Sequence, residues 1–249
     1  MNSKPIFWFI PHTHWEGAVF KTREQYLTMG LPHIVMALKL LKEQPGYRFV
    51  LDQAAYVKPF LERYPEEEAA FRRFVAEGRL QLVGGMDVMP DCNLSSGESI
   101  VRQILYAKGF FREKLGVDIT TAWALDTFGH NAQMPQILKR AGFRSMWFSR
   151  GVPHRKLPSE FLWQGLDGTQ MAVCWLPFLY SDLHSTPKEL NGFVKHCTES
   201  FAKLEPYTRG SHRVGLAGFD VCPPEPHVPA LIEEFNRQPD APFVMRLGV

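Results

Sequence analysis

A short polar segment near the start of the chain has the residue types of a metal site. In His12-Thr13-His14-Trp15-Glu16, two imidazoles and a carboxylate follow one another at intervals of two residues. Alternate side chains of an extended loop point the same way, so these imidazoles and the carboxylate can bind one ion together. Histidine and carboxylate ligands without thiolates suit zinc or another divalent cation in a hydrolytic site. The alternative is that His12 and His14 only form hydrogen bonds within the loop.

Two aspartates that are far apart in the sequence have the chemistry that hydrolysis needs. Asp126 and Asp220 each follow an apolar run that is typical of a β-strand. A carboxylate at the end of a buried strand is costly without a charged partner, and a cation is the simplest partner for Asp126. Phe219 and Val221 surround Asp220 with apolar groups, which favours a protonated acid. One ionised and one protonated carboxyl suit acid/base or nucleophilic hydrolysis, and the alternative for Asp220 is a turn residue before Pro223.

These candidates require a fold that brings the ends of several strands together. Short β-branched or aromatic runs alternate with stretches of helical period, which predicts strand–helix units around a mainly parallel sheet. The predicted strands cover 6–10, 47–51, 80–84, 120–125, 144–149, 170–175, 213–218 and 243–246. The predicted helices cover 22–43, 66–77, 98–115, 132–141 and 226–237. Polar residues follow the first seven strands, and in parallel α/β folds such loops converge on one face.

Composition and charge exclude several classes of protein. The 249 residues are 45% apolar and 13% aromatic, which suits one large α/β domain. The formal charge is +2 and no run of five like charges occurs, so nucleic acid is not an expected partner. The longest apolar stretch, 171–180, is too short to span a membrane. The four cysteines lack the spacing of a disulfide framework or a zinc site, and we expect a soluble, cytoplasmic protein.

Four motifs resemble those of a known enzyme family. They are PHTHW at 11–15, SGES at 96–99, WALDTFGH at 123–130 and MPQIL at 134–138. In this order they resemble the N-terminal catalytic domain of the bacterial family 38 glycoside hydrolases, which are retaining α-mannosidases. The resemblance implies an α/β fold, a seven-stranded β/α barrel of the type shared with carbohydrate deacetylases, forming a single domain over residues 1–249. It also implies a mannose-containing oligosaccharide or glycoside as substrate, and Zn²⁺ or another divalent metal as cofactor.

The resemblance also implies roles for particular residues. Asp126 is expected to be both the catalytic nucleophile and a metal ligand, with His14 and Glu16 as further ligands. Asp220, in a Gly-x-Asp context after the seventh strand, is expected to be the general acid. The remaining candidates lie in or beside the same polar loops and are expected to bind substrate: Arg150, Phe128, Trp15, Phe20 and Asp91.

The sequence departs from the family pattern at three points. Glu16 stands where the family usually has aspartate, and Val19 stands where an aromatic ring stacks under the sugar, a ring that Phe20 can replace. The family's fourth metal ligand, a histidine, comes from beyond the barrel, from the helical and β-sandwich regions, which these 249 residues are not expected to contain. The expectation is therefore a catalytic fragment or a shortened relative, with three of four metal ligands and weak or absent turnover on its own.

Two other functions are compatible with these residues. A metal-dependent carbohydrate deacetylase would use the same barrel to activate water against an amide, although its Asp-Asp pair and HxxxH ligand pair are not found in this sequence. A degenerate sugar-binding module would keep the fold without turnover, in line with Glu16 and Val19. The sequence leaves open the linkage preference, the metal and the oligomeric state, with a homo-oligomer among the options.

Overall fold

The computed structural model describes residues 4–152 and 157–249, in which strands and helices alternate along most of the chain. The strands are β1 (Ile6–Thr13), β2 (Phe49–Leu51), β3 (Leu80–Leu82), β4 (Thr121–Ala124), β5 (Ser145–Phe148), β6 (Glu160–Gln164), β7 (Gln170–Trp175), β8 (His212–Ala217) and β9 (Val244–Leu247). The helices are α1 (Arg23–Glu43), α2 (Ala54–Arg63), α3 (Glu68–Ala76), α4 (Gly97–Phe110), α5 (Met134–Arg140), α6 (Leu190–Leu204) and α7 (Val228–Arg237). A π-helical turn, Phe111–Leu115, continues α4.

The chain folds into two compact units that are each built from separated stretches of sequence. The first unit comprises Met1–Leu51, Tyr64–Gln81 and Tyr180–Val249, and the second comprises Asp52–Arg63 and Leu82–Leu179. The candidate residues divide between them, because Asp220 follows a strand of the first unit and Asp126 follows a strand of the second. The single domain predicted over 1–249 stays a prediction.

The first unit is organised around β1, which pairs in parallel with three other strands. β8 pairs with β1 from Ile6↔His212 to Pro11↔Ala217, β9 pairs with the start of β1, and β2 pairs with its end. β3 follows β2 in the strand order. Three phenylalanine rings, two of them in the core, pack together with ring centroids between 4.0 and 5.6 Å apart: Phe7 and Phe243 of the core, and Phe201. This packing holds the buried face of β1 and leaves the carboxyl ends of β1 and β8 side by side.

The second unit contains the strand order β4-β5-β7-β6, in which only β6 runs antiparallel to its neighbour. Buried Lys108 on α4 donates hydrogen bonds of 2.8 Å to the Ile119 carbonyl and 2.9 Å to the Ala141 carbonyl. These bonds join α4 to the segment that enters β4 and to the end of α5. Since β4 and β5 are parallel neighbours, the loops that follow them leave the sheet at one edge.

The α/β class with mainly parallel strands is confirmed. The strand pairings do not show a closed seven-stranded barrel, which stays a prediction. The sequence predictions omitted β6, α2 and α6, and placed most of the other elements within a few residues of their bounds. In the part of the chain that the structure describes, no helix is both long enough and apolar enough to cross a membrane.

Candidate functional site

The first group of candidate residues lies where β1 and β8 end. The parallel pairing of these strands continues past their last residues as a bridge between His14 and Asp220. The His14 amide donates to the Phe219 carbonyl at 3.1 Å, and the Val221 amide donates to the His14 carbonyl at 2.8 Å. The main chain itself therefore fixes His14 beside Asp220, although more than 200 residues separate them in the sequence.

His14, Glu16 and Asp220 form a cluster that could hold a metal ion. One ligand atom from each residue lies within 4.8 Å of the other two. His14 is buried, whereas Glu16 and Asp220 are partly exposed. An imidazole nitrogen with two carboxylate oxygens is a donor set that zinc and other divalent cations accept, so the residues present fit such an ion.

Tyr180 contacts two members of this cluster. Its hydroxyl donates a 2.9 Å hydrogen bond to Asp220 Oδ1, and the centroid of its ring lies 5.0 Å from that of His14. His12 does not join the cluster, since its Nε2 lies 2.8 Å from the Tyr180 carbonyl in a buried hydrogen bond. The segment that starts at Tyr180 thus supports the cluster from a third part of the chain.

The backbone after Asp220 is held in an uncommon conformation. Val221 has φ +47°, a left-handed value that β-branched residues rarely adopt. Burial lowers the pKa of His33 on α1, and a hydrogen bond to the backbone of Val221 partly opposes this shift. Residues with a strained backbone, such as Val221, concentrate at functional sites, where the surrounding structure compensates the free energy that the strain costs. His33 was not among the predicted site residues, and its only signal was a polar side chain beside the apolar stripe of α1.

Gly218 is required where β8 passes β1. A Cβ atom at this position would overlap the His12 carbonyl oxygen and lie 2.6 Å from His12 Cδ2. We therefore expect Gly218→Ala to lower the free energy of unfolding by about 1–3 kcal/mol, measured by urea denaturation, because the backbone must move to admit a methyl group. Gly46→Ala is the matched control, since nothing lies within 4 Å of its Cβ position. Equal stability of the two variants would contradict this close packing.

The second group of candidate residues lies in the second unit, after β4 and β5. Asp126 follows β4 and Arg150 follows β5, and Arg150 Nε donates a short hydrogen bond to Asp126 Oδ1. The Asp126 side chain is 19% exposed, and the Arg150 guanidinium lies 5.0 Å from the centre of the Phe128 ring. Arg150 therefore contacts the candidate nucleophile, and its expected role in binding substrate stays a prediction. The role of Asp126 as a third metal ligand stays a prediction, since the described cluster of the first unit contains Asp220 instead.

His130, the last residue of the WALDTFGH motif, packs against aromatic rings of the second unit. Burial lowers the pKa of His130 to about 4, with smaller opposing effects from the Arg150 backbone and from Asp91. Its ring packs on Phe148 at 4.6 Å and on Trp163 at 6.3 Å between centroids. A neutral, buried imidazole of this kind supports the loop that carries Asp126 and is not a proton donor near pH 7.

The remaining substrate-binding candidates have different environments. Trp15 is only 3% exposed and packs against Tyr26, so little of its ring is accessible to a sugar. Phe20 and Phe128 are 87% and 69% exposed, as a stacking surface requires. Asp91 Oδ1 accepts from the amides of Asn93 and Leu94, the pattern of a turn residue. The roles expected in substrate binding stay predictions for all four residues, Trp15, Phe20, Phe128 and Asp91.

Comparison with known proteins decides the family. Residues 5–248 match the family model of the glycosyl hydrolases family 38 N-terminal domain. The chain belongs to glycoside hydrolase family 38. This family 38 chain is 32% identical over 192 residues to alpha-mannosidase 2C1 of Homo sapiens, a match that covers 74% of the chain and 17% of that protein. It is 29% identical over 216 residues to alpha-mannosidase G of Dictyostelium discoideum, covering 80% of the chain and 19% of that protein.

A solved structure shows the same fold. The family 38 chain superposes on an alpha-mannosidase from Enterococcus faecalis V583 with a TM-score of 0.88 and 23% identity, over 98% of this chain and 28% of the other. The chain thus spans less than a third of the length of each of these three mannosidases. The resemblance found in the sequence motifs is confirmed, and these comparisons do not favour the deacetylase or the sugar-binding module.

Proposed function

We propose that the protein hydrolyses terminal α-mannosides as a metal-dependent retaining glycosidase, through a covalent glycosyl-enzyme intermediate. The observation that carries this proposal is the cluster of His14, Glu16 and Asp220 in a chain of glycoside hydrolase family 38. The seven-stranded barrel, the single domain over 1–249 and a cytoplasmic location belong to the same proposal. The proposed reaction is the one that the family resemblance implies, and other regions of the family's longer chains can contribute to it.

His14 and Glu16 are the ligands that would hold the metal, with Asp126 as the third ligand that the family resemblance implies. Asp220 lies within 4.8 Å of His14 and Glu16 and would bind the metal only if it did not serve as the general acid. When bound, a divalent cation such as zinc supplies Lewis acidity and a fixed positive charge that orients substrate hydroxyl groups. His14 is buried, and both its amide and its carbonyl form hydrogen bonds with the loop after β8. These contacts favour an ordered metal ligand.

Asp126 is proposed as the nucleophile. Its carboxylate oxygen forms a bond to C1 of the mannoside while the bond from C1 to the leaving oxygen breaks. Arg150 binds Oδ1 of the same carboxylate and so orients the group. The exposed ring of Phe128, with the Arg150 guanidinium 5.0 Å from its centre, offers an apolar surface to the sugar.

Asp220 is proposed as the general acid. It donates a proton to the leaving oxygen, and its conjugate base then removes a proton from the water that hydrolyses the glycosyl-enzyme, which regenerates both carboxyl groups. Tyr180 positions it through the hydrogen bond to Oδ1. Two displacements at C1 retain the anomeric configuration.

The proposal predicts that His14→Ala lowers divalent-metal affinity by about 100-fold or more, since a buried ligand is removed. Metal content after dialysis and release of 4-nitrophenol from an aryl α-mannoside are the two measurements. His212→Ala is the matched control, because His212 lies at the other end of β8, where its ring accepts from Trp8. We expect chelation to abolish nitrophenol release in the unmodified chain, and added metal to restore it.

Two outcomes would overturn the proposed function. Release of acetate from an acetylated sugar, without release of nitrophenol, would favour a carbohydrate deacetylase. A metal-loaded chain that binds mannose and releases neither product would favour a sugar-binding module.

A further inference from the structure

The strand β6 is the last strand of its order in the second unit. Among the described residues it pairs with β7 alone. At the two ends of β6, the Ser159 carbonyl accepts and the Gly165 amide donates a hydrogen bond across the hairpin, at 2.7 and 2.8 Å. Residues of an antiparallel strand alternate in the direction of their main-chain groups. The amides and carbonyls of Glu160, Leu162 and Gln164 therefore point away from β7, where another strand can pair with them.

Apolar side chains are exposed along this edge. Leu162, in the middle of β6, is 66% exposed, and Leu157 and Leu166, which lie beyond the two ends of the strand, are 36% and 78% exposed. The five residues of β6, EFLWQ, include neither the lysine nor the proline that commonly protects an edge strand from pairing. An apolar edge without these protections indicates a surface for another chain.

The residues of β6 match a second copy of the same strand. In an antiparallel pair centred on Leu162, this residue faces the partner's Leu162, and Phe161 faces the partner's Trp163. Glu160 faces the partner's Gln164, so a carboxylate meets an amide that can donate to it, and no like charges lie opposite each other. This register also sets the outward main-chain groups of residues 160, 162 and 164 opposite one another, as an antiparallel ladder requires.

The same two-fold axis brings further apolar groups together. Leu157 precedes Leu162 and Leu166 follows it at nearly equal separations in the sequence, so each of the two lies beside the other residue of the partner. The Leu162 side chain faces the same side of the sheet as Ala172 and Ser145, its neighbours in register. These residues line an apolar groove of about 410 Å³. Pairing about this axis makes the grooves of the two copies adjacent.

We propose that β6 joins two copies of this chain into a homodimer, in which the two β6 strands pair in antiparallel about a two-fold axis at Leu162. The outward main-chain groups of each copy supply hydrogen bonds, and the exposed leucines supply apolar contact. A two-fold axis closes the assembly at two copies, because it uses the same edge of both. The inference concerns assembly and does not depend on the proposed function.

Sedimentation velocity of the chain between about 1 and 100 μM tests the dimer. We expect Leu162→Lys to raise the Kd of the dimer by about tenfold or more, because two ammonium groups then lie opposite each other. Leu162 is exposed, so the fold is expected to persist, which circular dichroism checks. Leu105→Lys is the matched control, since Leu105 is 58% exposed on α4 of the same unit, and it should leave the Kd unchanged.

Cysteine cross-linking tests the register of the two strands. In Leu162→Cys the two new thiols lie in a hydrogen-bonded pair with their Cα atoms about 5.5 Å apart, within reach of a disulfide. We expect mild oxidation to give a covalent dimer of this variant and none of Leu105→Cys. A dimer that Leu162→Lys does not weaken, or one that Leu162→Cys does not cross-link, would overturn the inference. A monomer at 100 μM would also overturn it, and would leave the edge to a partner of a different kind.

Discussion

Replacing Asp126 with asparagine is expected to abolish covalent labelling of the chain by a fluorinated mannoside and to reduce aryl mannoside hydrolysis by about 10⁴-fold or more. The amide has nearly the shape of the carboxylate, but it is a poor nucleophile and cannot form the glycosyl ester. It also loses the charge that pairs with Arg150. Intact-protein mass spectrometry measures the labelling, and initial rates measure the hydrolysis.

Asp87→Asn is the matched control for this experiment. Asp87 belongs to the same unit, is also paired with a cation, Lys58, at 2.5 Å, and has no assigned part in the chemistry. We expect this variant to be labelled like the unmodified chain. Labelling of Asp126→Asn at the unmodified rate would show that the nucleophile is a different residue.

The second large effect is expected for Asp220→Asn, and it depends on the leaving group. A missing general acid costs about 10²–10⁴-fold when the leaving oxygen needs a proton, as in methyl mannoside. It costs much less for a dinitrophenyl mannoside, whose phenolate leaves without protonation. We therefore expect the variant to lose most of its activity towards the first substrate and to keep a larger share towards the second.

The same variant distinguishes the two roles that Asp220 could have. The side chain lies within 4.8 Å of His14 and Glu16, so it is also placed as a metal ligand. A ligand role predicts loss of metal from Asp220→Asn and an equal loss of activity towards both mannosides. An acid role predicts retained metal and the unequal loss. Asp240→Asn, an exposed aspartate of the same unit, controls for the change of charge.

The sequence predicted where strands end more accurately than which strands pair with each other. The apolar run that becomes β1 and the His-x-His-x-Glu pattern after it are local features, and they indicated a metal site in this loop without separating His12 from His14. That Asp220 lies beside His14 depends on the pairing of β1 with β8, a contact between distant segments that no local pattern contains. A metal site could therefore be predicted from one loop, whereas the presence of Asp220 beside that loop could not.

Two missed elements have weak local signals. The strand β6 has no buried residue in its exposure pattern, although the turn that joins it to β7 includes Asp167 and Gly168, a common hairpin pair. Helix α6 begins without a side-chain cap, and two of its four buried positions are Cys197, which is small and weakly apolar, and Ser200, which is polar. A search for turn residues would have indicated β6, and burial of small side chains explains why α6 did not stand out.

The aromatic candidates show a further limit of sequence reasoning. Trp15 and Phe20 are both near the first polar loop, yet Trp15 is buried against Tyr26 and Phe20 is exposed. Which ring faces solvent depends on the position of α1, whose start is fixed by the capping box of Thr22 and Gln25. Aromatic composition could therefore indicate a sugar-binding surface but could not select its residues.

The stereochemistry of the first product distinguishes two displacements at C1 from one. The metal-loaded chain is mixed with an aryl α-mannoside, and proton NMR spectra are recorded before the released mannose interconverts between its anomers. We expect α-mannose to appear first and β-mannose only later, because two displacements at C1 retain the configuration. Appearance of β-mannose first would show a single displacement by water and would contradict the covalent intermediate on Asp126.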